Sequence, residues 1–305
     1  MRFVVTGAAG FIGSHLLAAL EERGHDAVGW DAFTDYYDPA LKEENATGLP
    51  VERIDLVDDD LDLHGVDGVF HLAGQPGVRS FGSVFPVYVR QNVLASQRLF
   101  EAAVAAGARL VLASSSSIYG DAETYPTPED AQPRPISPYG LTKLAAEHLA
   151  YAYGREFGLE HAVVRYFTVY GPRQRPDMAL AKIVTCLAEG HPFELHGDGT
   201  QSRSFTYVDD AVDATILVME DAEAGSVYNV GGGSEASMLE VIDALSEAAG
   251  RRVELVQAPR REGDAQRTAA DTSRIRADLG WAPRTSLEDG IAAQWRWAAD
   301  RVARR

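Results

Sequence analysis

The chain has 305 residues, of which 46% are hydrophobic and 24% charged, with one cysteine, Cys186. A chain this long buries a substantial core without metals, and a lone cysteine excludes an intrachain disulfide. The formal net charge of −17 argues against non-specific binding to nucleic acid and requires local arginines for any anionic substrate. The first predicted element is the apolar strand Arg2–Thr6, followed by Gly7-Ala8-Ala9-Gly10-Phe11-Ile12-Gly13 and a helix over residues 11–23. Glycines here permit a tight turn and let backbone N–H groups approach a pyrophosphate, and the helix amino terminus adds partial positive charge. Gly7, Gly10, Phe11, Ile12 and Gly13 are therefore expected to hold a dinucleotide.

The second strand, Asp26–Asp31, ends about 20 residues past the glycines in a carboxylate suited to ribose hydroxyls and hostile to a 2′-phosphate. Asp31 thus favours NAD over NADP. Residues 40–50 are read as a short loop into a third strand, 51–56, whose end puts Asp55 and Leu56 at the adenine. A fourth strand, 68–73, runs into Leu72-Ala73-Gly74, where small residues let the cofactor lie against the backbone.

A helix over 87–106 precedes the strand Arg109–Ser115, which runs into Ser114-Ser115-Ser116-Ser117. One loop later, Tyr139 and Lys143 stand four positions apart, on one face of a helix over 140–157. A phenol with a pKa of about 10 is a poor base at neutral pH. A neighbouring ammonium and a cationic nicotinamide are expected to lower it. Tyr139 and Lys143 are the candidate catalytic pair, and Ser115, Ser116 and Ser117 the hydroxyls that meet the reacting oxygen.

A strand over 161–167 follows. Near Gly171 the texture changes: Pro, Gly and Arg punctuate shorter elements over 172–203 and 251–305. The chain returns to the sheet at Val227–Val230, between helices over 209–220 and Met238–Ala249. Alternating strands and helices imply an α/β fold, a doubly wound parallel-sheet Rossmann domain with a smaller discontinuous α/β substrate-binding lobe. The NAD-binding part is placed at 1–171 plus 204–232 and the lobe at 172–203 plus 233–305, with 233–250 able to pack on either. No apolar run reaches membrane-spanning length and no targeting segment opens the chain, so no membrane partner and a cytoplasmic location are expected. The histidines show no metal-ligand spacing, and no metal is expected.

Taken together, residues 6–13, Asp31, 71–74, 114–120, 139–143 and 165–172 resemble the extended short-chain dehydrogenase/reductase family, in its NAD-dependent epimerase/dehydratase branch. The resemblance implies a Rossmann domain, tightly held NAD, Tyr139 as acid/base, Tyr166 beside the cofactor, and a homodimer through helices 87–106 and 140–157. It also implies oxidation at C4 of a nucleotide sugar, with proton transfer to Tyr139, turning of the 4-keto sugar, and re-reduction from the other face.

Within the family, dehydratases carry an Asp-Glu pair where Ser116-Ser117 stand, and decarboxylases a Glu at the position of Ser117. Their absence favours 4-epimerisation. Thr168 in place of the usual Asn, followed by Arg175-Pro176-Asp177-Met178, is similar to UDP-glucuronate 4-epimerases, as are Asp35-Tyr36-Tyr37-Asp38-Pro39 and Gln75-Pro76-Gly77-Val78-Arg79. By resemblance Thr168 and Arg175 take the sugar carboxylate, for which a planar guanidinium is apt. By resemblance too, Arg79 belongs to the substrate site, Arg203 and Arg261 contact the diphosphate, Asp264 holds a ribose hydroxyl, and Lys182 and Phe193–His196 border the uracil. The expected conversion is UDP-glucuronate to UDP-galacturonate. UDP-glucose 4-epimerisation is the alternative, followed by dehydratase or decarboxylase action and by a non-catalytic NAD-binding protein.

Overall fold

The structure, a computed structural model, describes residues 1–77, 82–259 and 266–303. Its strands are β1 (Arg2–Thr6), β2 (Asp26–Asp31), β3 (Val51–Arg53), β4 (Gly68–His71), β5 (Arg109–Ser115), β6 (His161–Tyr166), β7 (Thr168–Tyr170), β8 (Phe193–His196), β9 (Ser202–Tyr207), β10 (Val227–Val230), β11 (Ser234–Ser237), β12 (Leu255–Ala258) and β13 (Arg267–Thr268). The helices are α1 (Phe11–Glu22), α2 (Pro39–Ala46), α3 (Phe85–Tyr88), α4 (Ala95–Ala106), α5 (Pro138–Phe157), α6 (Ala179–Glu189), α7 (Val208–Asp221), α8 (Met238–Ala249), α9 (Ser273–Leu279) and α10 (Leu287–Ala303).

The seven strand-like runs of the sequence form one seven-stranded parallel sheet in the order β10-β6-β5-β4-β1-β2-β3. Strands buried on both faces need apolar residues at successive positions. Phe3 and Val5 of β1 join the core beneath α1 and α7, while Val4 joins the one beneath α4 and α5. On β5, Val111 and Ala113 face the first core and Leu110 and Leu112 the second. The chain winds outward from β1 through β2 to β3, then crosses to begin β4 on the other side of β1. That reversal opens a crevice at the carboxyl ends of β1 and β4, where ligands of such sheets bind.

After β6 the chain leaves the sheet. β9 pairs with β7, β11 and β13, and β8 with β12. A third core, including Tyr170, Ile183, Leu195, Phe205, Val241 and Ile291, gathers these elements with α6, α8 and α10. By contrast Ile275 and Trp281 pack into the first core, under the large sheet.

Three local expectations change. Residues 40–50 are not a simple loop, because α2 occupies Pro39–Ala46: the Asp38 carboxylate accepts from the Ala40 amide at 3.0 Å, and Pro39 opens the first turn. The third strand stops at Arg53 because Asp55 turns the chain, accepting from the Val57 amide at 2.8 Å while its own amide donates to Asp59 at 2.8 Å. The helix expected over 87–106 starts at Phe85 and contains a π turn, Val89–Leu94, between α3 and α4.

Candidate active site

One cleft, about 1160 Å³ with its open mouth included, lies over the β1–β4 crevice. Its lining includes Gly7, Gly10, Phe11, Ile12, Gly13, Asp31, Leu56, Leu72, Ala73, Gly74, Tyr139, Lys143, Tyr166 and Arg175. Every expected cofactor residue except Asp55 is thus brought together. Asp55 is instead paired with Arg90 at 3.2 Å, outside the lining.

The glycine turn is built for close approach. At Gly7, where φ is +71°, an added Cβ would lie 2.8 Å from the Ala73 amide nitrogen, and at Gly13 one would lie 2.2 Å from the Gly7 carbonyl oxygen. Side chains there would fill the cradle and push α1 off the turn. Asp31 is held rigidly: one carboxylate oxygen accepts from the Ala9 amide at 3.1 Å, the other from the Phe33 amide at 2.7 Å. Beside it stands Lys42 from α2, with Nζ 3.8 Å from Asp31 and donating to Thr34 at 3.0 Å. Burial lowers the Lys42 pKa and Asp31 opposes the fall. The Trp30 indole N–H is buried without a partner on the cleft wall. A glycine cradle, a carboxylate fixed at the end of β2 and an orphan donor fit a dinucleotide bearing free ribose hydroxyls.

Tyr139 and Lys143 reach the cleft from the first turns of α5. Ser137 caps that helix, accepting from the Gly140 amide at 3.1 Å, and Pro138 follows. Lys143 is buried, and its Nζ donates to the Ala113 carbonyl at 2.8 Å. Burial lowers its pKa to about 8, with Glu147 opposing. The motif predicts a depressed pKa for Tyr139; here it is raised, because burial outweighs the help of Arg175 and of the Ser115 hydroxyl.

The serine run divides its work. Ser114 lines the cleft but donates to Glu147. Ser115 lies against Tyr139 and accepts from the Ser117 amide at 3.1 Å. Ser116 and Ser117 form a 3-10 turn, and none of Ser115, Ser116 and Ser117 is among the lining residues. Tyr166 lines the cleft with its hydroxyl engaged by Thr215 at 2.6 Å, and burial raises its pKa.

Of the expected substrate residues, Arg175 borders the cleft beside Tyr139. Thr168 begins β7, in register with Phe205, two positions from Arg203 on the neighbouring β9. Arg203 donates to the Ser202 carbonyl at 2.7 Å. Lys182 is exposed on α6 and does not line the cleft. Arg79, Arg261 and Asp264 lie outside the described residues.

Several supporting residues have no place in the sequence expectations. Asn92, in the π turn, is buried and ties three pieces together: it accepts from the Gln75 amide at 2.6 Å, donates to the Gln75 carbonyl at 3.1 Å, and donates to Thr142 at 2.9 Å. Glu147, one turn beyond Lys143, makes a buried pair with Arg165, Nη2 to Oε2 at 2.7 Å. Arg165 also donates to Tyr119 and to the Glu129 carbonyl, both at 2.8 Å. Removing one member of such a pair costs about 3–5 kcal/mol. The spacing Tyr139, Lys143, Glu147 is a usable signal, since i, i+4 and i+8 share a helix face.

Residues 3–231 match the model of the NAD dependent epimerase/dehydratase family. A Bacillus subtilis protein named as an uncharacterized UDP-glucose epimerase, YtcB, is 39% identical over 95% of this chain and 96% of its own length. The crystal structure of UDP-glucuronic acid 4-epimerase from Bacillus cereus, in complex with UDP-glucuronic acid and NAD, superimposes with a TM-score of 0.94 at 38% identity, covering 98% of this chain and 99% of that one. MoeE5 in complex with UDP-glucuronic acid and NAD gives a TM-score of 0.89 at 43% identity, over 99% of this chain and 100% of that one, and it has also been solved with UDP-glucose and NAD. With most of the chain matching the family model, this protein belongs to the NAD dependent epimerase/dehydratase family.

Proposed function

We propose that the chain is an isomerase, an NAD-dependent 4-epimerase of UDP-sugars that acts best on UDP-glucuronate, giving UDP-galacturonate. The observation that carries this reading is Arg175: a guanidinium on the same cleft as Tyr139 and close enough to favour its phenolate. NAD bound in the cleft supplies the reversible removal of two electrons from C4 and a positively charged ring that favours the phenolate. The Tyr139 oxygen takes the C4 hydroxyl proton and returns it after the sugar has turned. Ser115, whose hydroxyl favours the phenolate and donates to Ser117 at 3.1 Å, is the proposed partner of the same oxygen. Lys143, on the same cleft, is anchored on the Ala113 carbonyl.

A 4-keto uronate is a β-keto acid and loses CO2 when its carboxylate bond aligns with the carbonyl π system. Arg175, with Thr168, grips the carboxylate out of that alignment. Arg203 and, outside the described residues, Arg261 are assigned to the diphosphate, Asp264 to a ribose hydroxyl and Lys182 to the uracil, with Arg79 in the substrate site; Asp264 and Arg79 also lie outside the described residues. The second reading, UDP-glucose 4-epimerisation, draws support from the counter-charge of Asp177, already paired with Arg175.

The lobe boundaries proposed are 172–203 plus 233–305. A homodimer is proposed through the helical stretch 87–106 and α5, on the exposed apolar residues Leu94, Leu141, Tyr151 and Phe157. Among the described residues no helix is long and apolar enough to cross a membrane, and a cytoplasmic location is proposed.

The deciding experiment incubates purified protein with UDP-glucuronate and follows UDP-galacturonate by NMR and CO2 by release. Arg175→Ala raises KM for UDP-glucuronate about tenfold or more beyond its effect on UDP-glucose, the size of a lost charge-assisted hydrogen bond. Equal effects on both sugars sink the carboxylate assignment. Tyr139→Phe binds NAD and does not turn over; residual activity near wild type sinks the acid/base assignment.

A further inference from the structure

Arg175 does not face the cleft as a bare cation. Its Nε donates to Asp177 Oδ1 at 3.0 Å and its Nη2 to Oδ2 at 3.2 Å. The Tyr36 hydroxyl donates to the same Oδ2 at 3.3 Å. Tyr36 comes from the loop after β2 and the other two from the loop after β7, so the cluster ties two segments far apart in sequence at the cleft. Arg175 and Tyr36 line that cleft and Asp177 does not. The carboxylate therefore backs the guanidinium.

A side-on pair consumes Nε–H and one Nη2–H. The end of the fork, Nη1 with the second Nη2–H, is the part left for a ligand. A carboxylate arriving there meets an arginine whose charge is already largely balanced. A neutral hydroxymethyl arriving there leaves no unpaired cation in a partly desolvated cleft, which would be costly without Asp177. One residue behind the fork thus sets how strongly the subsite discriminates charge.

We propose that Asp177 determines the sugar specificity of this enzyme: its counter-charge, fixed by Tyr36, restrains the preference of Arg175 for a uronate and lets the same site accept a neutral hexose. The inference rests on the reading that Arg175 meets the C6 group of the sugar. It adds a residue that touches Arg175 rather than substrate, a positioning residue with an electrostatic effect.

The test is Asp177→Asn, which removes the charge yet keeps one acceptor oxygen for the Arg175 Nε–H, while the amide N–H can donate to the Tyr36 hydroxyl oxygen. With NAD-loaded protein, kcat/KM is measured for UDP-glucuronate and UDP-glucose at low and high salt. The ratio of uronate to hexose rises about tenfold at low salt, through KM for the uronate, as expected for one unit charge removed several ångströms from an anion. The gain shrinks as salt screens it. A merely structural lesion would worsen both sugars together and leave the ratio where it was. A ratio that is unchanged, or that falls, overturns the proposal. Should the asparagine variant not fold, Asp177→Ser makes the same measurement with the same expected direction. Two further arms separate the failures. If Arg175→Ala lowers the ratio while neither Asp177 variant raises it, the role of Asp177 is refuted and the uronate reading stands. If Arg175→Ala leaves the ratio untouched, the reading itself has failed, and this inference with it.

Discussion

Gly140→Ala sets two effects against each other in the helix that carries the chemistry. By propensity alone, alanine inside a helix is favoured over glycine by about 1 kcal/mol. But a Cβ at Gly140 would lie 2.3 Å from the Ser117 carbonyl oxygen and 2.9 Å from its carbon, where ordinary contact begins at 3.4 Å. The start of α5 must then withdraw from the serine turn by about 1.1 Å, the gap between 2.3 Å and 3.4 Å. Overpacking of this kind costs about 1–3 kcal/mol, so the net stability change is small or modestly unfavourable. The rate is more sensitive. Tyr139 precedes Gly140, and a displacement of about 1 Å from the reacting geometry costs roughly a hundredfold. The expected outcome is a variant that melts within a few degrees of wild type, binds NAD, and turns over UDP-sugar about a hundredfold more slowly. The assays are thermal melting, NAD binding, and product formation by NMR at saturating substrate. Wild-type kcat would refute the reasoning, since it would show that the contact between Ser117 and α5 does not set the position of the phenol.

Two further outcomes concern protons. Activity falls as pH rises past about 8, where Lys143 loses its charge, and Glu147→Gln moves that limb to lower pH because the opposing carboxylate is gone; a kcat–pH profile checks both. His71 is fully buried between the Thr6 and Ser96 hydroxyls, each at 2.8 Å, and burial lowers its pKa to about 3 with Lys143 adding to the effect. The folded form keeps it neutral, so stability is complete above the unfolded value of about 6.5 and is lost as pH falls through that value toward 3. At about 1.4 kcal/mol per pH unit, acidification from about 6.5 to about 5 removes about 2 kcal/mol. His71→Gln is less stable at neutral pH but loses about that much less on acidification, read as urea midpoints at the two pH values.

The central sheet is legible because parallel strands covered on both faces leave apolar runs, as in Phe3-Val4-Val5 and Ala162-Val163-Val164. The short strands β8, β11, β12 and β13 carry polar or exposed residues and leave no such run. The cofactor wall is legible for a related reason: Gly7 to Gly13 is a local device whose backbone demands show in consecutive residues. Lys42 is hidden because residues 40–50 have no apolar periodicity to mark a helix, although Asp38-Pro39 is a helix-opening pair. Asn92 takes its meaning from Gln75, 17 positions away, which no local pattern announces; Glu147 shares a helix face with Lys143, but its partner Arg165, 18 positions on, and the partner of Tyr36, Asp177, 141 positions on, show only in the fold. The pKa of Tyr139 moves opposite to the motif's expectation because a motif names its neighbours but not the water that folding removes.

Asp31 has a consequence for redesign. Both its oxygens accept from main-chain amides, so the residue is a structural strut of the turn as well as the proposed selector of the cofactor. Exchanging it for a small neutral side chain, the obvious route toward a phosphorylated dinucleotide, would strand the Ala9 and Phe33 amides and take from Lys42 the stronger of its two carboxylate neighbours, Asp31 and Asp35. Any change of coenzyme preference in this scaffold must therefore replace two hydrogen-bond acceptors in the fold at the same time as it makes room for a phosphate.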